Sequence, residues 1–82
     1  MRDLLTDTFD PAPYVGWASA LASTVRNGGI WAVPMNTSAY RFDHEAKRLT
    51  LVYGPEDYLF DRTRAVFGLL GYDVVTDPNR PQ

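Results

Sequence analysis

The chain has 82 residues, ten acidic and eight basic side chains for a net charge of −2, one His and no Cys, and 45% of its residues are hydrophobic. That length suits one domain without a second lobe, the lack of Cys excludes disulfides and thiolate metal sites, and a pI near 5.1 offers phosphate backbones no attractive field. Mass scaling puts about 60% of the unfolded surface inside on folding, enough for one small core.

Residues 1–9 show no sustained period and read as a flexible N-terminal arm, with Leu4, Leu5 and Phe9 able to tuck onto the body. The start lacks a basic segment followed by a long apolar one, and no later run approaches the roughly 18 apolar residues of a membrane span. The expected location is therefore the cytoplasm. A single compact domain is expected over 10–75.

Asp10-Pro11 is the first clear punctuation: the carboxylate can accept from early helix amides, and Pro11 or Pro13 presets φ in a first turn. The predicted helix runs from there to a stop at Gly28-Gly29. Tyr14, Ala18, Leu21, Ala22 and Val25 form its apolar stripe, which Trp17 widens.

Ile30 to Met35 is a short apolar run with a β-branched and aromatic bias, as in a buried strand, with Pro34 marking an edge or an end. Asn36-Thr37-Ser38 is turn chemistry. Tyr40 and Phe42 then alternate with Arg41 and Asp43, and Leu49, Leu51 and Tyr53 with Arg48, Thr50 and Val52. These are two half-buried strands joined by a polar hairpin turn.

Gly54-Pro55-Glu56-Asp57 ends the strand and opens a second helix, with carboxylates where the helix dipole favours them. Its inward face should be Leu59, Thr63, Val66, Phe67 and Leu70, with Phe60 alongside, and Gly71 should be its C′ residue. Gly68, inside that helix, suggests close packing on the sheet. Tyr72 to Val75 reads as a last short strand and 76–82 as a flexible C-terminal tail. The expected fold is α+β in the order α-β-β-β-α-β. Its sheet is small, mainly antiparallel and of three to four strands, with two helices packed on one face.

Few residues could carry chemistry. His44, the single imidazole available to Ser19, Ser23 or Ser38, falls at the hairpin tip, where a solvated turn histidine is expected. Asp43, His44 and Glu45 are consecutive, so extended backbone would send them to opposite faces and no metal site is expected. Asp57 and Asp61 share a helix face, which fits dipole charge plus a surface Asp61–Arg64 pair better than an acid/base dyad. Gly28-Gly29 follow a helix instead of preceding one, so they are not a phosphate loop, and no cofactor is expected.

The α-β-β-β-α order over roughly 11–71 resembles the double-stranded RNA-binding domain, which backs a three-stranded antiparallel sheet with two helices. That resemblance implies phosphate contacts from a Lys-rich start of the second helix. Here the matching stretch, Pro55 to Asp61, is acidic.

If Ile30 and Ala32 face the helices, Trp31, Val33 and Met35 lie on the opposite sheet face beside Arg41 and Arg48. Either the N-terminal arm, Leu4 to Phe9, or the tail folds across that stripe, or a partner covers it, and Trp, Tyr, Met and Arg are types enriched in interfaces. The expected function is a small non-enzymatic protein-interaction module acting through Trp31, Val33, Met35, Arg41 and Arg48. Its partner would be another protein or a second copy, with no catalytic residues. Small acidic Cys-free chains of this kind are often accessory or inhibitory proteins of phages and mobile elements. The alternatives are a degenerate nucleic-acid-binding domain using Arg41, Lys47 and Arg48, and third a small acid/base enzyme using Asp57, Asp61 or His44.

Overall fold

The alternating stretches become strands in the computed structural model, which describes residues 9–33 and 38–81. Strand β2 spans Ala39–Asp43 and β3 spans Arg48–Tyr53, paired antiparallel, with Lys47 at a φ of 55° closing the turn between them. A short β1, Ile30–Ala32, pairs antiparallel with β2, while β4, Asp73–Thr76, runs parallel to β3. The order is β1-β2-β3-β4, an open four-stranded mixed sheet.

Helix α1 covers Val15–Thr24 and α2 covers Tyr58–Gly68. Because α2 separates β3 from β4, the chain crosses over before pairing again, which is what makes that pair parallel. Side chains of period two, Tyr40, Phe42, Leu49, Leu51 and Val74, leave one sheet face and meet Ala18, Phe60, Val66 and Phe67 from the helices. The small α+β fold and its α-β-β-β-α-β order are thus as the pattern predicts.

Both ends of α2 follow from local chemistry. Asp57 Oδ1 accepts from the Leu59 and Phe60 amides at 3.0 and 3.2 Å, an N-cap. At the other end Tyr72 N–H donates to Phe67 O and Gly71 N–H to Gly68 O, both at 3.0 Å, a Schellman motif with Gly71 as C′ at a φ of 89°. The Tyr72 and Phe67 rings meet edge to face, the apolar contact that accompanies this cap.

Helix α1 departs from expectation. Asp10 Oδ1 accepts from the Ala12 amide at 3.1 Å ahead of a 3-10 turn over Ala12–Tyr14 whose cap position is Pro11, and the α-helix begins only afterwards. It ends at Thr24, before the two glycines. Ser23 and Thr24 turn their hydroxyls back to Ala20 O and Leu21 O, local bonds that compete with a helical ladder; Val25 is extended, and its N–H donates to Ala22 O. Gly28-Gly29 is instead a turn that feeds β1: Gly28 has a φ of 83° and donates to Phe42 O, and a Cβ on Gly29 would stand 2.9 Å from Arg26 O.

Three further expectations are corrected. Gly68 marks no close packing, since nothing lies within 4 Å of where its Cβ would stand. Tyr53 is largely exposed, because a register shift between Ala39 and Tyr40 interrupts the alternation at that end of the sheet. The tail is anchored over 76–81: Thr76 belongs to β4, Asp77 N–H donates to Leu51 O, and Gly54 N–H donates to Pro81 O. Arg80, only 7% exposed, gives Nε–H to Gly54 O at 2.7 Å and places its guanidinium 3.6 Å from Glu56. A planar fork that satisfies backbone carbonyls holds the segment down. The N-terminal arm over 1–8 and the Asn36-Thr37 turn lie outside the described residues.

Candidate functional site

The five residues expected to share one sheet face do not share it. Trp31 pairs with Tyr40 and stacks on it at 5.6 Å, so it lies on the helix side, while Ile30 pairs with Arg41 on the open side. Ile30 is 54% exposed, and Arg41 and Arg48 are exposed on the open side with it. The phase of β1 is therefore the reverse of the expected one: Trp31 and Val33 point toward the helices, away from Arg41 and Arg48. The physical reason is that burying an indole on the Tyr40 and Phe67 rings removes more apolar area from water than burying Ile30 there. Met35 lies outside the described residues.

That reversal builds a groove of about 300 Å³ between the two helices, with β1 and β2 as its floor. Trp17, from α1, meets Trp31 edge-on at 5.7 Å and 67°, and Phe67 at 6.3 Å. Tyr14 stacks on Phe9 at 5.6 Å and 22° along the rim. The opposite wall is one face of α2, with Leu59, Arg62, Thr63 and Val66 at helical spacing. Trp17 remains 52% exposed and Tyr14 49%, although both belong to this apolar concavity.

The polar groups of the groove are few. Ser38 is buried, and the Tyr40 hydroxyl lies near Thr63. Burial raises the Tyr40 phenol above its ordinary value; the Thr63 hydroxyl, placed to donate to a phenolate, lowers it, and the Asp57 charge raises it. Arg62 lays its guanidinium against the Phe9 ring at 4.8 Å and the Tyr58 ring at 5.3 Å. Among the described residues no imidazole or carboxylate lines this groove. Those residues offer stacking, apolar contact and one cation, and no proton-transfer pair.

A second, more open cleft of about 410 Å³ contains His44. The expected solvated turn histidine is instead part-buried and bonded at both nitrogens. Nε2 faces Val25 O, a carbonyl that can only accept, so Nε2 carries the proton and Nδ1 accepts from the Tyr72 hydroxyl at 2.7 Å. Ser19 and Ser23 line this cleft, but the Ser23 hydroxyl donates to Ala20 O, and both imidazole nitrogens are engaged by Val25 O and the Tyr72 hydroxyl instead of by a serine. The imidazole joins the end of α1, the β2–β3 turn and the residue before β4.

The other acid/base candidates are also engaged or apart. Asp57 is committed to the α2 cap. The Asp61–Arg64 pair does not form; among the described residues the ion pair is Arg80 with Glu56, and Arg64 lies over the Phe60 ring instead. Among the described residues no group of three His, Asp or Glu side chains could hold a metal ion, and no helix is long and apolar enough to cross a membrane. Sequence reasoning missed Tyr14 and Arg62 as groove residues. The helical spacing of Leu59, Arg62, Thr63 and Val66 was the available signal.

Compared with protein-family models, curated proteins and solved structures, the chain matches none.

Proposed function

We propose that this chain is a small non-enzymatic protein-interaction module, of accessory or inhibitor type, that receives another protein or a second copy of itself in the aromatic groove. The observation that carries this is the pair of half-exposed rings, Trp17 and Tyr14, standing over an apolar concavity floored by Trp31. Covering about 100 Å² of Trp17 alone would contribute about 2.5 kcal/mol at 25 cal/mol per Å². Large aromatic residues in a pocket with a polar rim are the usual anchors of protein interfaces. The engagement of His44 and Asp57 in structural hydrogen bonds also favours binding over acid/base catalysis.

The test compares wild type, Trp17→Glu and an Arg41→Glu/Arg48→Glu variant on the opposite sheet face, each shown by circular dichroism to be folded. Association, measured by light scattering for self-assembly and by retention on immobilised protein for other partners, should survive the double change and be lost with Trp17→Glu. Association indifferent to Trp17, or no association at all, would refute the proposal.

A further inference from the structure

Beside the groove, β1 is an edge strand. Val33 N–H donates to Ser38 O, Phe42 N–H donates to Gly29 O, and Trp31 pairs with Tyr40, so the Gly29 carbonyl and the backbone groups of Trp31 and Val33 are directed at β2, while Gly29 N–H turns back to Arg26 O. By strand alternation Ile30 and Ala32 direct theirs the other way, each presenting one N–H and one C=O along the sheet's edge. The same alternation sets Trp31 and Val33 into the groove. An open ladder next to an apolar pocket is the arrangement by which sheets receive an added strand.

The cation narrows the occupant. Aromatic rings engage the flat face of a guanidinium, so the rings of Phe9 and Tyr58 orient Arg62 while leaving its in-plane N–H fork to meet a carboxylate. Asp61 lines a shallow depression with Phe9, Tyr58 and Arg62, but no Asp61–Arg62 ion pair forms among the described residues, and Asp57 is engaged by the α2 amides it caps. Resting on the protein-binding role proposed above, we infer that the occupant is an extended segment of a partner protein that adds to the β1 edge, which no strand among the described residues pairs. It places an aromatic or large aliphatic side chain against Trp17 and Trp31, and a carboxylate on the same strand face against Arg62. Since side chains of one strand face recur every second residue, the anchor and the acid stand an even number of residues apart.

The experiment selects random 12-residue peptides, displayed on phage, on the immobilised full chain, and then titrates one enriched synthetic peptide against tryptophan fluorescence. The expected result is enrichment of a bulky apolar residue with Asp or Glu two or four positions away. Ala32→Pro removes one edge N–H at a position where an edge strand tolerates proline, and it should weaken binding about tenfold. Arg62→Gln should weaken it about tenfold for the acidic peptide and leave the Glu→Gln peptide unchanged. Peptides that depend on Trp17 but show no even spacing, or that ignore both Ala32→Pro and Arg62→Gln, would overturn this inference while leaving protein binding standing. A Trp17-dependent mass of about 18 kDa, twice the 9.2 kDa chain, with no peptide enriched, would make a second copy the occupant and equally overturn it. No Trp17-dependent binding of any kind would overturn both.

Discussion

Replacing His44 by Ala tests whether the β2–β3 turn is tied to the body of the domain. The imidazole makes two part-buried hydrogen bonds, to Val25 O and the Tyr72 hydroxyl, and its ring lies 5.3 Å from that of Phe42. Each bond contributes about 1 kcal/mol net, and the lost ring contacts add about another, so the expected cost is about 2–3 kcal/mol. For a chain of this length total stability is about 4–12 kcal/mol, so this one change removes a large fraction of it. With a urea slope of about 1 kcal/mol per M, the midpoint should fall by about 2–3 M. Tyr72→Phe should cost about 1 kcal/mol alone and distinctly less in the His44→Ala background, because the hydroxyl has then lost its partner. A loss below about 0.5 kcal/mol for His44→Ala, the size usual for a solvated surface position, or strict additivity with Tyr72→Phe, would refute the reasoning.

Gly71→Ala should destabilise by about 1–2 kcal/mol, since a φ of 89° strains any Cβ even with open space around it, whereas Gly68→Ala, in open helical surroundings, should stabilise by about 0.5–1 kcal/mol; thermal melts of the two variants would show opposite shifts. Arg80→Ala should cost about 2 kcal/mol in urea unfolding, and Arg80→Lys should recover little of it, because the bond to Gly54 O is made by Nε of the fork. Burial raises the Tyr40 phenol, so the folded state holds that proton more tightly than the unfolded chain does; its stabilising contribution is complete below pH about 10 and is lost as pH climbs through the folded value. Urea midpoints taken from pH 8 to 11 should fall less steeply for Tyr40→Phe than for wild type, and parallel curves would contradict that role for Tyr40.

What the sequence makes legible depends on how long a pattern persists. Tyr40, Phe42, Leu49 and Leu51 lie in strands long enough to show two full alternations, and all four are buried as expected. Asp57 and Gly71 are legible because caps are local chemistry. The three residues of β1 cannot fix a phase when Ile30, Trp31 and Ala32, and Val33 just after them, are all apolar, and the groove depends on that phase. The bonds of His44 to Val25 and Tyr72, and of Arg80 to Gly54, join residues distant in the chain. No short-range pattern announces such partners. The expected site therefore named the right indole, Trp31, but grouped it with arginines across the sheet.

The parallel register of β4 with β3 also orders the events of folding. The β2–β3 hairpin closes across a short turn and can form on a microsecond scale, whereas β4 meets β3 only after the chain has run through α2, a longer closure that costs more chain entropy. The pairing of β4 with β3 is therefore expected to form after that hairpin and to open before it. In native-state hydrogen exchange, the amides of Val75 and Asp77 should open at lower free energy than those of Phe42 and Leu51. The domain would then breathe at one edge of its sheet, the edge opposite β1, and leave the aromatic groove intact while it does so.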